Sequence, residues 1–270
     1  MKFTKMNGLG NDYIFVDTRK EKVKEPEKLA KRLSDRRFSV GGDGLVLIGP
    51  GKTSDLSMRI FNADGSEAEL CGNALRCVGK YAYERDLYAR KEIFVETLAG
   101  IKKVVVVTNG ENVVTHSSVT IGRAQKGFLQ YPFEMETAVF GKKYKGYCVS
   151  VGNPHFVLFV SHFDSDLSEI GSKIGEKGGI FSCGANVEFV IPQENGELLV
   201  RVIERGSGET YACGTGAAAS FFAAQEIGLV GDKAEIRLLG GTLSCHRTDE
   251  NEISVYGAVS ENYIGEVKTE

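Results

Sequence analysis

Two cysteines of this 270-residue chain stand in matching local settings. Cys71 begins the segment Cys-Gly-Asn-Ala, Cys213 begins Cys-Gly-Thr-Gly, and a helical pattern follows each of them. The first turn of a helix leaves backbone N–H groups without helical partners, and the helix dipole adds positive potential there. Because both effects favour the thiolate form of a cysteine, we expect both sulfurs to perform acid/base or other thiol chemistry.

The residues after each cysteine indicate what these sulfurs could act on. Gly72 and Gly214 remove side-chain bulk, so a ligand can approach the backbone closely. A helix start of this kind also binds anions, such as the α-carboxylate of an amino acid. If two such sites face one stereocentre from opposite sides, one sulfur can remove the α-proton and the other can return a proton. The pattern therefore favours two-base racemisation or epimerisation.

An internal repeat supports treating the two cysteines as a pair. Their sequence numbers differ by 213 − 71 = 142, and this constant offset relates further residues without a gap. A constant offset across separate segments predicts two homologous halves, and two long copies do not make a solenoid. The other related pairs are Gly10 with Gly152, Asn11 with Asn153, Gly42 with Gly184, Arg59 with Arg201, Ile60 with Val202, Glu67 with Glu209, and Ala99 with Gly241.

The elements that must position the cysteines follow the same plan in each half. Alternating and β-branched runs predict strands that are interrupted by Gly-Asn turns. Short helices are predicted over residues 26–36 and 167–176, and one helix after each cysteine over 72–85 and 214–226. The last helix is apolar nearly all round, which is typical of a helix buried on most sides. We predict two α+β domains, each with strands around one central helix.

Composition and charge exclude several function classes. The 42% of hydrophobic residues suffice for a sizeable core, and the net charge of −3 comes from interleaved opposite charges without a basic stripe, so no nucleic-acid partner is expected. The chain shows neither a signal peptide nor a stretch approaching the ~18 apolar residues of a membrane span, so we expect a cytoplasmic protein. The glycine-rich segments 41–44 and 205–210 match neither nucleotide-binding loop pattern.

The remaining cysteines are interpreted as small buried hydrophobic residues. The chain has no Cys-x-x-Cys pair, its four histidines do not cluster near the cysteines, and a disulfide framework does not suit a cytoplasmic protein. We therefore predict no metal. Since no lysine stands in a recognisable pyridoxal phosphate context, we predict no cofactor. These other cysteines are Cys77, Cys148, Cys183 and Cys245.

Five segments carry a resemblance to a known family. MNGLGNDYIFVD, FNADGSEAELCGN, SVGNPHFV, GANVEFV and ERGSGETYACGTG resemble diaminopimelate epimerases, in the family's order and over nearly the whole chain. The resemblance implies two similar domains related by a pseudo-twofold axis, residues 1–114 plus 259–270 and residues 115–258. It also implies a homodimer that converts LL- to meso-diaminopimelate without a cofactor, in lysine and peptidoglycan precursor biosynthesis.

The resemblance also assigns roles by position. Cys71 and Cys213 would be the acid/base pair, and two dipeptides, Gly72-Asn73 and Gly214-Thr215, would offer backbone donors to the reacting carboxylate. His155 and Glu204 would tune the cysteines and orient the substrate, and Arg205 suits a distal carboxylate. The remaining residues implied to hold the substrate are Asn11, Asn62, Asn153 and Asn186. The chain departs from many relatives in the segment CGNALRC and at Gly44.

Other interpretations stay open at this point. From residue type alone, the asparagines are turn residues and Arg205 a surface charge. Glu67 and Glu209 are interpreted as structural carboxylates at helix entries. The substrate could instead be proline, hydroxyproline, histidine or glutamate, as in other cofactor-independent racemases. Two cysteines of low pKa could also form a redox switch without catalysis.

Overall fold

The computed structural model describes residues 1–268 and divides into two compact units. The first unit comprises Met1–Thr120 and residues 256–268, and the second comprises Ile121–Val255. The chain passes from the first unit to the second within strand β8 (Val114–Gly122) and returns within β18 (Ile253–Ala258). Residues 269 and 270, which belong to the predicted segment 259–270, lie outside the described residues.

The first unit is a mixed sheet with two helices. The sheet order is β19, β1, β2, β3, β4, β6, β7, β8, with parallel pairs β2–β3 and β4–β6 and a short antiparallel β5 on β4. Its other elements are β1 (Lys2–Gly8), β2 (Asn11–Asp17), α1 (Pro26–Ser34), β3 (Gly44–Pro50), β4 (Leu56–Asn62), β5 (Glu67–Ala68), α2 (Gly72–Glu84), β6 (Glu92–Thr97), β7 (Gly100–Thr108) and β19 (Ser260–Glu266).

The second unit repeats this arrangement. Its sheet order is β10, β11, β12, β13, β14, β16, β17, with parallel pairs β12–β13 and β14–β16 and a short β15 on β14. Its elements are β9 (Gln125–Lys126), β10 (Glu134–Val139), β11 (Lys142–Ser150), β12 (Pro154–Phe159), α3 (Leu167–Gly175), β13 (Asn186–Pro192), β14 (Leu198–Glu204), β15 (Gly208–Thr210), α4 (Gly214–Glu226), β16 (Lys233–Leu238) and β17 (Gly241–Arg247).

The constant offset found in the sequence also relates the elements. Strand β3 maps onto β13, β4 onto β14, and α2 onto α4, with both ends of each element displaced by the same amount as the two cysteines. The turns correspond as well, because Gly10 and Gly152 both have a positive φ, of 82° and 102°, which glycine adopts without strain. The predicted α+β class with two similar halves is confirmed.

The two helices that follow the cysteines lie at the centre of their units. In α2, 11 of the 13 residues are buried, and in α4, 10 of the 13 are buried. Each helix packs on its own sheet, α2 against β1 and β7 and α4 against β11, β12 and β13. The apolar composition of α4 follows from this burial on most sides. Within residues 1–268, no helix has the length and apolar character needed to span a membrane.

Candidate active site

Cys71 and Cys213 are the residues that cap the N-termini of α2 and α4. Their backbone angles agree closely, with φ −133° and ψ 113° for Cys71 and φ −126° and ψ 114° for Cys213. In each case the cysteine carbonyl accepts the first helical hydrogen bond at 2.9 Å, from Leu75 N or from Ala217 N. Both sulfurs therefore begin at the positive end of a buried helix dipole.

The Cys71 sulfur lies beside the Asn11 amide. The thiol is 3.4 Å from Asn11 Oδ1, and Asn73 Nδ2 donates to the same oxygen at 3.1 Å. The other end of the Asn11 amide is fixed, because Nδ2 donates to Asp43 Oδ2 at 2.7 Å. Asp43 also accepts from the backbone N–H of Asp12 at 3.0 Å. Asp43 thus holds the Asn11 carbonyl oxygen toward the sulfur, a role that the sequence did not indicate.

The two residues that follow Asn11 on β2 both have shifted pKa values. Burial, and then the charge and hydrogen bond of Cys71, raise the pKa of Tyr13 well above its ordinary value of 10.0, so Tyr13 remains a hydroxyl donor. Asp12 bridges Lys5 Nζ at 2.6 Å and Arg36 Nη2 at 2.6 Å. Burial raises the pKa of Asp12, but the hydrogen bonds and charges of these two cations outweigh burial and lower it below 3.8.

The Cys213 sulfur is more enclosed, with only 6% of the residue exposed. Gly216 N donates to Sγ at 3.3 Å, and the Thr215 hydroxyl lies 3.4 Å from Sγ. Burial and the nearby charge of Glu204 raise the pKa of Cys213 well above its ordinary value of 9.0, against the lowering effect of Thr215 and Gly216. At neutral pH Cys213 is therefore a thiol in this geometry.

Glu204 lies at the end of β14 and contacts the Cys213 side chain. Thr210 Oγ1 donates to Glu204 Oε1 at 2.6 Å. Burial raises the pKa of Glu204, although hydrogen bonds from Thr210 and Cys213 lower it. Glu204, which was expected to tune a cysteine, therefore lies next to Cys213.

His155 connects Asn153 to a carboxylate that sequence reasoning missed. His155 Nε2 is 2.9 Å from Asn153 Oδ1, and Nδ1 is 2.7 Å from Glu188 Oε1. His155 and Glu188 have no exposed side-chain surface. The only sequence signal for Glu188 is a single carboxylate inside the apolar run of β13. Asn153 Nδ2 reaches Thr215 Oγ1 at 3.5 Å, so this group extends to the start of α4.

The other expected substrate-binding residues lie at strand ends and loops. Asn186 begins β13, and its Oδ1 accepts from the backbone N–H of Arg205 at 2.9 Å. The exposed Arg205 guanidinium donates to the Cys183 carbonyl at 2.6 Å. Asn62 ends β4, and its Nδ2 donates to Ser66 Oγ at 3.0 Å.

Glu67 and Glu209 hold arginines of the adjacent strands. Glu67 accepts two hydrogen bonds from Arg59, at 2.7 and 3.0 Å, and Glu209 pairs with Arg201. The interpretation as helix-entry carboxylates therefore does not describe the contacts they make. Instead, an ion pair fixes the short strand before each cysteine to its neighbour, and the constant offset relates the two pairs.

Cys77, Cys148 and Cys245 are buried, as expected, whereas Cys183 is only half-buried, so the interpretation as a buried residue is wrong for Cys183. Burial raises the pKa of the Cys77 and Cys148 thiols to about 12, so neither ionises at neutral pH. Among residues 1–268, no three His, Cys, Asp or Glu side chains come together as a metal-binding group.

Comparisons with known proteins identify the family. The model of the family described as diaminopimelate epimerase matches residues 3–126 and 147–261. Curated relatives named diaminopimelate epimerase include one from Acetivibrio thermocellus, 44% identical over 99% of this chain and 98% of the relative. Another, from Methanococcus maripaludis strain C6, is 41% identical over 99% of both chains.

Solved structures share the fold at low sequence identity. A probable proline racemase from Agrobacterium radiobacter K84 has a TM-score of 0.76 and 14% identity, covering 100% of this chain and 93% of its own. A hydroxyproline epimerase from Agrobacterium vitis has a TM-score of 0.74 and 15% identity, covering 98% and 91%. The family model and the full-length relatives lead to one conclusion: the chain belongs to the diaminopimelate epimerase family of isomerases.

Proposed function

We propose that this chain interconverts LL- and meso-diaminopimelate, with Cys71 and Cys213 as the two acid/base groups. The observation that carries the proposal is the pair of equivalent cysteines, each capping a buried helix with nearly the same backbone angles. Full-length relatives named diaminopimelate epimerase support the substrate. In the same proposal, the enzyme supplies lysine and peptidoglycan precursors.

The reaction requires one thiolate and one thiol. The thiolate takes the α-proton, and the C–H electron pair remains on the substrate, delocalised into its carboxylate. The thiol then donates its proton to the opposite face of the α-carbon, so each sulfur ends in the other's state. Backbone N–H groups in Gly72-Asn73 and Gly214-Thr215 would bind the carboxylate and stabilise the charge that develops.

The surroundings of Cys213 favour the thiol as its resting form. Its raised pKa, due first to burial and then to Glu204, keeps the proton on sulfur at neutral pH. When Cys213 acts as the base, the Gly216 N–H at 3.3 Å remains as a donor to the thiolate. We therefore assign Cys213 as the proton donor, and Cys71 as the base, in the turnover that starts from the resting enzyme.

The distal end of the substrate needs polar recognition, since it carries a second ammonium and a second carboxylate. Amide groups come from four asparagines, Asn11, Asn62, Asn153 and Asn186. The Arg205 guanidinium can donate two parallel hydrogen bonds to a carboxylate. Glu204 would orient the substrate and adjust the sulfur, whereas the fully buried His155 would act on the site through Asn153. A single-headed amino acid such as proline would leave the distal groups without a partner, and this favours diaminopimelate over the other racemase substrates.

Deuterium exchange at Cα, followed by NMR in D2O, tests the reaction and the substrate together. Reduced protein would be incubated separately with LL-diaminopimelate, L-proline, L-histidine and L-glutamate. We expect exchange and a new stereoisomer only with diaminopimelate. Exchange with a different amino acid would change the substrate, and exchange with none would favour the redox switch.

The variants Cys71→Ala and Cys213→Ala test the two-base scheme. Each sulfur serves one face, so each variant should lose more than about 10³-fold in turnover. Cys77→Ala is the matched control, because it removes a buried helical thiol well inside α2 and away from the cap. Two-way epimerisation by either active-site variant would refute the scheme.

A homodimer in the cytoplasm stays a prediction. Sedimentation can test the oligomeric state, and cell fractionation can test the location.

A further inference from the structure

Glu188 and His155 form a fully buried pair next to the proposed acid/base group Cys213. Glu188 Oε1 is 2.7 Å from His155 Nδ1, whereas Glu188 Oε2 is buried without a hydrogen-bond partner among the described residues. The constant offset places Tyr13 and Val46 at the equivalent positions of the first unit. The pair therefore belongs only to the half that carries Cys213.

Hydrogen-bond geometry gives the number of protons on this pair. His155 Nε2 lies 2.9 Å from Asn153 Oδ1, which has only lone pairs to offer, so Nε2 must carry a proton. The contact between Nδ1 and Glu188 Oε1 needs a second proton, on either the nitrogen or the carboxyl. The pair therefore holds two protons and has no net charge.

Burial favours the same proton count. With one proton the pair would be a net anion without exposed surface, and a buried uncompensated charge is strongly disfavoured. Glu188 Oε2, which has no hydrogen-bond partner within residues 1–268, adds to that cost. The neutral, two-proton pair avoids the cost while keeping the donor at Nε2.

The proton at Nε2 sets the direction of a chain of hydrogen bonds to sulfur. Asn153 accepts through Oδ1 and donates through Nδ2 to Thr215 Oγ1, at 3.5 Å. Thr215 then has its hydroxyl proton left to donate to Cys213 Sγ, at 3.4 Å. Without the Nε2 proton the Asn153 amide would turn over, and Thr215 would donate to Asn153 instead of to sulfur.

We propose that Glu188 is a positioning residue which, through the two-proton pair with His155, orients Asn153 and Thr215 so that the Thr215 hydroxyl stabilises the Cys213 thiolate. This inference rests on the proposed acid/base role of Cys213. The other titratable group that contacts Cys213 is Glu204, which the variants below leave in place. In the Cys71 half, Val46 takes the place of the carboxylate, and Tyr13 interacts with Cys71 and Asn11 directly.

NMR of the wild-type protein with ¹⁵N-labelled histidine tests the proton count without any activity measurement. We expect the His155 Nε2 resonance to show a bound proton at neutral pH in the wild type. In Glu188→Leu the neutral imidazole has a single proton, which Asn153 Oδ1 keeps on Nε2, so the Nδ1 resonance should change and the Nε2 resonance should not. An unprotonated Nε2 in the wild type would overturn the inference. Because the spectrum does not depend on turnover, this result is separate from the fate of the proposed function.

Kinetics of four variants test the connection to sulfur. Glu188→Gln can still donate an N–H to Nδ1, so kcat should stay within about 3-fold of wild type. Glu188→Leu removes the hydrogen bond that fixes the imidazole ring, so it should lose about 10- to 100-fold. Thr215→Val should lose a similar factor, and the double variant should lose no more than either single variant. If the losses of Glu188→Leu and Thr215→Val multiplied in the double variant, the two residues would act separately. That result would overturn the proposed chain of hydrogen bonds.

Ser220→Ala provides the matched control. Ser220 lies on the same helix as Thr215, and its buried hydroxyl has no hydrogen-bond partner among residues 1–268. Removing this hydroxyl should leave kcat unchanged. A loss in Ser220→Ala as large as that in Thr215→Val would refute the specific role of the Thr215 hydroxyl.

Discussion

Gly216 lies where a single added methyl group would press on both Glu188 and the Cys213 sulfur. It is the third residue of α4, and its N–H is a donor to Sγ. A Cβ built on Gly216 would lie 2.9 Å from Glu188 Oε1, 3.3 Å from Cys213 Cβ and 3.4 Å from Cys213 Sγ. The equivalent residue of the first unit is Ala74, and Val46 stands at the position equivalent to Glu188.

The contact distances give the size of the effect of Gly216→Ala. Ordinary contact begins near 3.4 Å, so the buried Glu188 carboxylate, at 2.9 Å, must retreat by about half an ångström. Overpacking of this kind costs about 1–3 kcal/mol, and the better helix propensity of alanine returns about 1 kcal/mol. We expect a loss in the free energy of unfolding between about zero and about 2 kcal/mol.

The loss of activity should be larger than the loss of stability suggests. A misplacement of about 1 Å at a catalytic group can cost about 10²-fold, so half that displacement should cost about 10-fold in kcat. The assay is Cα deuterium exchange of diaminopimelate by NMR, with urea unfolding of the same samples. Gly231→Ala is the control, because a Cβ at Gly231 meets nothing within 4 Å.

Two results would refute this reasoning. A stable Gly216→Ala protein with wild-type kcat would show that Glu188 and Cys213 can move away from the added methyl group without loss of activity. A kcat lowered equally in Gly231→Ala would show that the loss has no connection with those contacts.

Three further predictions follow from the surrounding contacts. Asp43→Leu should lower kcat/KM about 10-fold, because the Asn11 amide loses the acceptor that orients it; Asp43→Asn keeps an acceptor and should lose less. The lowered pKa of Asp12 gives stability that is present above its ordinary value of 3.8 and is lost as pH falls through the folded pKa, so thermal melts of Asp12→Asn should show a weaker acid dependence than wild type below about pH 4. Cys148, with its pKa raised by burial to about 12, should resist iodoacetamide at pH ~8 in the native protein and react once unfolded, as peptide mapping can show.

The sequence predicted the elements that carry the cysteines because their pattern is local. Helix α4 begins and ends as expected, at Gly214 and Glu226, and α2 ends one residue earlier than expected, at Glu84. Glycines at the turns and apolar periodicity in the helices depend on neighbouring residues only. The constant offset supplied a second, independent indication for each element.

The sequence could not predict the groups that orient the site, because their roles depend on contacts between distant segments. Asp43 lies 32 positions from Asn11, and Glu188 lies 33 positions from His155. Their partners become visible only when parallel strands bring the segments together, as β12 and β13 do in register His155 to Asn186. A carboxylate within the apolar run of β13 was the one available signal.

The pairing of β1 with β19 has a consequence for biosynthesis. Lys2 pairs with Glu266, so the strand that completes the first sheet leaves the ribosome only after the whole second unit has been made. The second unit is continuous in sequence and can fold during translation. Until β19 has been synthesised, β1 of the first unit lacks one of its two neighbouring strands. Its unpaired edge can then bind chaperones or pair with a wrong strand. Slow translation through Ile121–Val255 would therefore prolong the vulnerable state of the half that carries Cys71.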